Sequence, residues 1–178
     1  AADTSDNRTN LAPALLDLGE ADEAARVCAE GDLAGSADLQ AMQAQILKAQ
    51  GRATEAGWAY EKLVSDDPKN FVAWNNLGNA RHEGGDLEGA LQAFQEARQI
   101  DPKSSLVHTN IGRVLISMDR YEDACLMLEK AVLLAPQDAA PLLELGRVLT
   151  SIDHAEPALR ALGSAARLWV VLIWGTFR

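Results

Sequence analysis

Long apolar runs, aromatic residues, cysteines and clustered basic residues are all scarce in this chain of 178 residues. The apolar stretch Leu168 to Trp174 (LWVVLIW) falls far short of the roughly 18–20 residues that a membrane-spanning helix requires. Aromatics make up only 5% while alanine is abundant, a balance that suits closely packed helices better than sheets. Two cysteines, Cys28 and Cys125, form no metal-spaced pair. They stand three structural repeats apart on the reading below. With helix axes about 8–10 Å apart, that separation exceeds the roughly 7 Å limit for a disulfide. Both read as small buried apolar residues and leave the redox compartment open. The net charge of -10 comes with no Lys/Arg face, which argues against duplex nucleic acid or an anionic membrane as the main partner. The acidic residues read as solvated helix faces. No leader segment is visible, and a start at Ala1 without Met points to a processed protein or an excised fragment. The compartment is undetermined, with the cytoplasm slightly favoured.

What the chain does have is periodicity. Alanines recur at 24, 56, 90, 124 and 158, with spacings of 32, 34, 34 and 34 residues. Ala12, Ala44, Gly78, Gly112 and Gly146 repeat the same spacings, as do the turn-forming residues Gly19, Gly51, Gly85, Asp119 and Asp153. Pro68, Pro102 and Pro136 follow at 34-residue intervals. A fixed period of this length marks a stack of supersecondary units.

Each unit reads as two helices. In the third, Phe71 to Arg81 carries Ala73, Trp74, Leu77, Gly78 and Arg81 at helical spacing. Gly84 and Gly85 end that helix, and Asp86 is an N-cap candidate for the next. Leu87, Ala90, Leu91, Phe94, Ala97 and Ile100 then form an apolar stripe, closed by Pro102. Small residues such as Gly78 and Ala90 let paired helices approach closely. A single helix pair cannot bury both its faces, so the units must stack.

Trp74-x-x-Leu77-Gly78, then Ala90-x-x-x-Phe94, then Pro102, resembles the tetratricopeptide repeat pattern, with Arg81 where that pattern has Tyr. The fourth unit matches through Ile111, Gly112, Tyr121, Ala124, Leu128, Ala131 and Pro136, and the second through Ala44, Gly51, Ala56, Tyr60 and Pro68. The resemblance implies an all-α, right-handed superhelical solenoid of about five helix–turn–helix repeats, at about 5–36, 37–70, 71–104, 105–138 and 139–170. Residues 1–9 are expected as a flexible tail, 10–169 as the solenoid, and 170–178 as an apolar extension or the start of a further segment. The ends depart from the pattern. Pro13 falls inside the first helix, which is expected to begin near Asn10 with Pro13 in its first turn. Pro157 sits near a later helix start, and Val170 stands where a closing Pro was due.

No catalytic set is visible. His82, His108 and His154 lie in three different units without ligand spacing, so no metal is expected. Gly84-Gly85 is a helix–helix turn and not a phosphate loop. Carboxylates lack a paired acid and base, and nucleophile motifs are absent. The expectation is a non-enzymatic chain without cofactors.

The resemblance further implies a concave groove, lined by the first helix of each pair, that holds an extended peptide. Equivalent places hold Gln45, Asn79, Arg113 and Arg147, a series of hydrogen-bond donors suited to peptide carbonyls or an acidic side chain. The alternative is that these residues simply solvate the inner face. Asn76 and Asn110, one repeat apart, could each pair with a peptide unit, as in the asparagine ladder of the O-GlcNAc transferase family. Met42 and Glu144 occupy the flanking rungs, limiting such a ladder to two steps. Asn75, His82, Glu83, Thr109, Ile116, Leu143 and Thr150 are further groove candidates, with Val72 and Leu106 as shallow apolar contacts. The basic clamp of the chaperone-binding subclass is not supported: its places hold Ala41, Leu106 and Asn110, or Asn75, Ala140 and Glu144 one repeat later.

The expected function is a protein–protein interaction scaffold that binds a protein or peptide ligand, with no nucleic-acid partner. Two alternatives stand beside it. The chain is the recognition module of a larger enzyme, such as a bacterial transferase, or it self-assembles. The tail Trp169 to Trp174 is apolar all round; it caps the last helix, begins a following domain, or docks on a second copy.

Overall fold

The computed structural model describes residues 4–29 and 37–151, with side chains placed for 11–29 and 38–149. Among these the chain is all-α. Its helices are α1 (Thr4–Asp17), α2 (Ala21–Ala29), α3 (Ala37–Ala49), α4 (Ala53–Asp66), α5 (Phe71–Glu83), α6 (Leu87–Ile100), α7 (Ser105–Ser117), α8 (Tyr121–Leu134) and α9 (Ala139–Ser151). Residues 1–93 form one compact unit and 94–178 a second. Asp153, His154, Pro157, Ala158 and the apolar run from Leu168 lie outside the described residues, as does the side chain of Thr150.

The turns inside the helix pairs are built alike. Gly19, Gly51 and Gly85 have φ of +79°, +75° and +83°, and Asp119 has φ +57°. At each, two backbone hydrogen bonds close the preceding helix. The left-handed residue donates to the carbonyl three back, and the next residue to the carbonyl five back. Gly51 N–H reaches Lys48 O and Arg52 N–H reaches Leu47 O, both at 2.9 Å. Asp119 and Arg120 repeat this on Ile116 and Leu115 at 3.0 and 2.9 Å. This is the Schellman arrangement, which satisfies carbonyls that a helix end would leave unpaired. Asp119 does with an L residue what glycine does at the other three turns.

The turns between pairs follow a second recipe. In Asp67-Pro68-Lys69-Asn70 the Asp67 carboxylate accepts from Lys69 N–H at 3.1 Å, and Asn70 Oδ1 accepts from Ala73 N–H at 2.9 Å, capping α5. In Asp101-Pro102-Lys103-Ser104 the corresponding bonds are 3.0 Å to Lys103 and 3.4 Å from Val107 to the Ser104 hydroxyl, capping α7. Asp86 caps α6 as expected, its Oδ1 accepting from Gly89 N–H at 3.0 Å.

In the first unit, Ala12, Ala24, Cys28 and Ile46 form one buried cluster, with Leu15, Leu16 and Met42 packed against it. A second gathers Ala44, Ala56, Tyr60, Leu63, Val64, Ala73, Leu77, Ala80 and Ala93. In the second unit Val107, Ile111, Val114, Leu115, Ala124, Leu128, Leu142, Leu145 and Val148 are buried. Gly112 explains how α7 and α8 pack: a Cβ there would lie 2.7 Å from Leu128 Cγ. A leucine side chain of the facing helix thus occupies the space that a side chain at 112 would need.

Two expectations need correction. The first helix begins at Thr4, not near Asn10, so Pro13 lies well inside it and not in its first turn. The proline removes the hydrogen bond from its own nitrogen and crowds the carbonyl four residues back, yet the helix runs on both sides of it. Cys125 is only half-buried, whereas Cys28 is buried; both are free thiols.

Candidate functional site

The donor series divides between the two units. In the first, Gln45 on α3 is exposed, while Asn76, Asn79 and His82 on α5 are half-buried. Asn75 is buried, at 8% exposure. Val72 is exposed on the same helix. Lys48 of α3 reaches Glu83 of α5 at 3.1 Å, an ion pair that ties successive first helices together.

In the second unit Thr109 and Asn110 are buried, and the Thr109 hydroxyl donates to Ser105 O of its own helix at 2.9 Å. That hydroxyl is spent locally, so Thr109 presents little to a ligand. Ile116 is half-buried. Arg113 on α7 and Arg147 on α9 converge on one carboxylate, Glu144, at 3.6 and 3.2 Å. Glu144 is only 15% exposed, whereas the arginine side chains are 50% and 70% exposed. Leu106 and Leu143, on the same two helices, are also exposed. In the sequence Glu144 interrupts the asparagine ladder and stands at a place of the unsupported basic clamp, neither of which marks it as an arginine partner. Its spacing of three residues from Arg147 was the available signal, because side chains at i and i+3 share a helix face.

His108, Thr109 and Asn110 are the buried polar residues of α7. His108 is fully buried, with Nδ1 at 2.8 Å from Ser104 O, while Nε2 has no hydrogen-bond partner among the described residues. Burial raises the pKa of the Cys28 thiol; for Cys125 burial acts first, reinforced by Glu129 and Glu122. Both are therefore held as thiols, the less nucleophilic form. Among the described residues, no group of three or more His, Cys, Asp or Glu side chains is placed to hold a metal ion, and no helix is long and apolar enough to cross a membrane.

Two family models described as tetratricopeptide repeat match the chain, at residues 41–105 and 81–140, and together span more than half of it. The chain belongs to the tetratricopeptide repeat family. A search of curated proteins by sequence gave no match. Solved structures of similar fold include MamA from Desulfovibrio magneticus RS-1, 18% identical, covering 94% of this chain and 96% of that one at a TM-score of 0.80. Pseudomonas aeruginosa pilF is 26% identical, covering 92% of this chain and 76% of its own, at a TM-score of 0.77. TTC0263, a thermophilic repeat protein of Thermus thermophilus, is 19% identical over 92% and 90%, at a TM-score of 0.74. This tetratricopeptide repeat protein thus has the all-α solenoid fold class and the general character of a protein-interaction scaffold.

The family pattern also makes sense of Arg81, which replaces its tyrosine. Arg81 Nη2 donates to Glu61 Oε1 of α4 at 2.7 Å and Nη1 to Gly89 O of α6 at 3.0 Å; Nε lies 3.8 Å from Asp86 Oδ2. One guanidinium links α4, α5 and the start of α6.

Proposed function

We propose that this protein binds an extended peptide along the exposed faces of its first helices, with no chemistry of its own, and that the peptide is acidic with a neighbouring apolar residue. The observation that carries this is the pairing of Arg113 and Arg147 with the single carboxylate of Glu144. The Arg113 and Arg147 side chains are 50% and 70% exposed, and a guanidinium matches a carboxylate in charge and geometry. Glu144 fixes both arginines in position, and their exposed parts remain accessible to a ligand carboxylate. Leu106 and Leu143 supply the apolar contact on the same helices. In the first unit, Gln45 and Asn79 are taken separately as donors for peptide carbonyls.

The test is selection of a random displayed peptide library on the intact chain, followed by affinity measurement of the enriched peptides. Acidic-apolar sequences are expected. Arg113→Glu with Arg147→Glu should weaken them at least tenfold while circular dichroism stays unchanged. Enrichment of basic or sequence-neutral peptides, or an unaltered affinity in the double variant, would refute this reading.

A further inference from the structure

Helix α4 carries two features that neither the core nor the proposed groove uses. Trp58 is 63% exposed. It occupies the outward register held by Arg26, Gln92 and Leu126 in other repeats. Beside it, Gly57 sits within the helix, where glycine is a much weaker helix former than alanine. Packing gives no reason for glycine there: a Cβ at Gly57 would meet nothing within 4 Å. The glycine leaves an unfilled notch of about 150 Å³, bordered by Thr54, Trp58, Glu61, Arg81, Gly84 and Asp86. Such a volume is below that of ordinary small-molecule pockets and suits one side chain.

The charges in the notch are layered. Arg81 is the inner group, 24% exposed and already engaged by Glu61, Asp86 and Gly89 O. The two carboxylates are the outer groups, with Glu61 46% and Asp86 58% exposed. An entering group therefore meets the Trp58 side chain and two carboxylates. A wider depression of about 630 Å³, lined by Glu20, Asp22, Glu23, Arg26 and Gln50, has acidic residues but no aromatic wall.

We propose that the Gly57 notch receives an arginine side chain of a basic partner segment. The planar guanidinium stacks on Trp58 and donates to Glu61 and Asp86. A net charge of -10 steers a basic segment toward the protein. This site is carried by residues 53–86 of the first unit and is separate from the Arg113 and Arg147 pair.

The experiment follows the Trp58 indole N–H by nuclear magnetic resonance, assigned with Trp58→Phe, in the intact chain. The probes are N-acetyl-arginine methylamide and its lysine, citrulline and glutamate counterparts at constant ionic strength. A saturable shift is expected with the arginine probe at millimolar concentration, a weaker one with lysine, and none with citrulline or glutamate. Gly57→Leu, which fills the notch, should weaken arginine binding at least fivefold. If that variant fails to fold, Trp58→Ala should give the same loss, read from the Gly57 and Gly84 amides. No saturable shift with arginine, an equal response to citrulline, or full binding in the folded variants would overturn the proposal.

Discussion

Arg81 and Tyr60 each make a testable contribution to stability. Arg81 is mostly buried and holds a carboxylate on α4 and a carbonyl at the start of α6. Arg81→Ala removes both contacts, and because the Glu61 carboxylate is 46% exposed and can be solvated, the loss expected in urea unfolding is about 1 kcal/mol. Arg81→Tyr restores the family residue and should lose less, because the ring still fills the space between helices. Tyr60 is 1% exposed, and its phenol is pushed up to about 12, first by burial and then by the negative charge of Glu83. The native state thus favours the protonated phenol more than the unfolded chain does. The stability this contributes is complete below pH 10 and is lost as pH rises from 10 to about 12. Tyr60→Phe should flatten that part of an alkaline stability profile measured by chemical denaturation.

At the scale of the helix pair, Gly112 and Leu128 form a lock. Gly112→Ala gains about 1 kcal/mol of helix propensity but drives a methyl group to 2.7 Å from Leu128 Cγ. Overpacking of that kind costs about 1–3 kcal/mol, so net destabilisation is expected. Adding Leu128→Val should recover part of it, and a double-mutant cycle by denaturation would measure the coupling. These elements also show what was legible beforehand. The Gly19, Gly51, Gly85 and Asp119 series was readable because only residues tolerant of positive φ suit that turn, and such residues are few. The caps at Asn70, Ser104 and Asp86 act within three residues of the chain. The candidate site was less readable. Arg113 and Glu144 are 31 residues apart, and only the packing of α7 with α9 brings them together. The burial of Asn75, Thr109 and Asn110 depends on how a helix is rotated against its neighbours, which a polar side chain in a sequence does not disclose. Pro13 misled because one missing N–H weakens a helix without necessarily starting one.

For the whole molecule, 26 acidic residues against 16 basic ones set the conditions of approach for any partner. The field of the chain attracts a basic segment and repels an acidic one until close contact with Arg113 and Arg147. Raising salt from about 50 to 300 mM shortens the Debye length from roughly 14 to 6 Å. The association rate of an arginine-rich peptide should fall severalfold over this range, whereas that of an acidic groove peptide should fall less or rise. Stopped-flow measurements on the same protein sample would distinguish the two, and equal salt slopes would count against separate sites. A different consequence follows from the turns between helix pairs. Asp67-Pro68-Lys69-Asn70 and Asp101-Pro102-Lys103-Ser104 make the same bonds, and Asn70 and Ser104 cap the helices that follow. Splicing Asn70 directly onto Ser105 would leave an intact turn and a capped helix. Recombination can therefore lengthen or shorten this chain by whole repeats, so that its length can evolve without inventing a new junction.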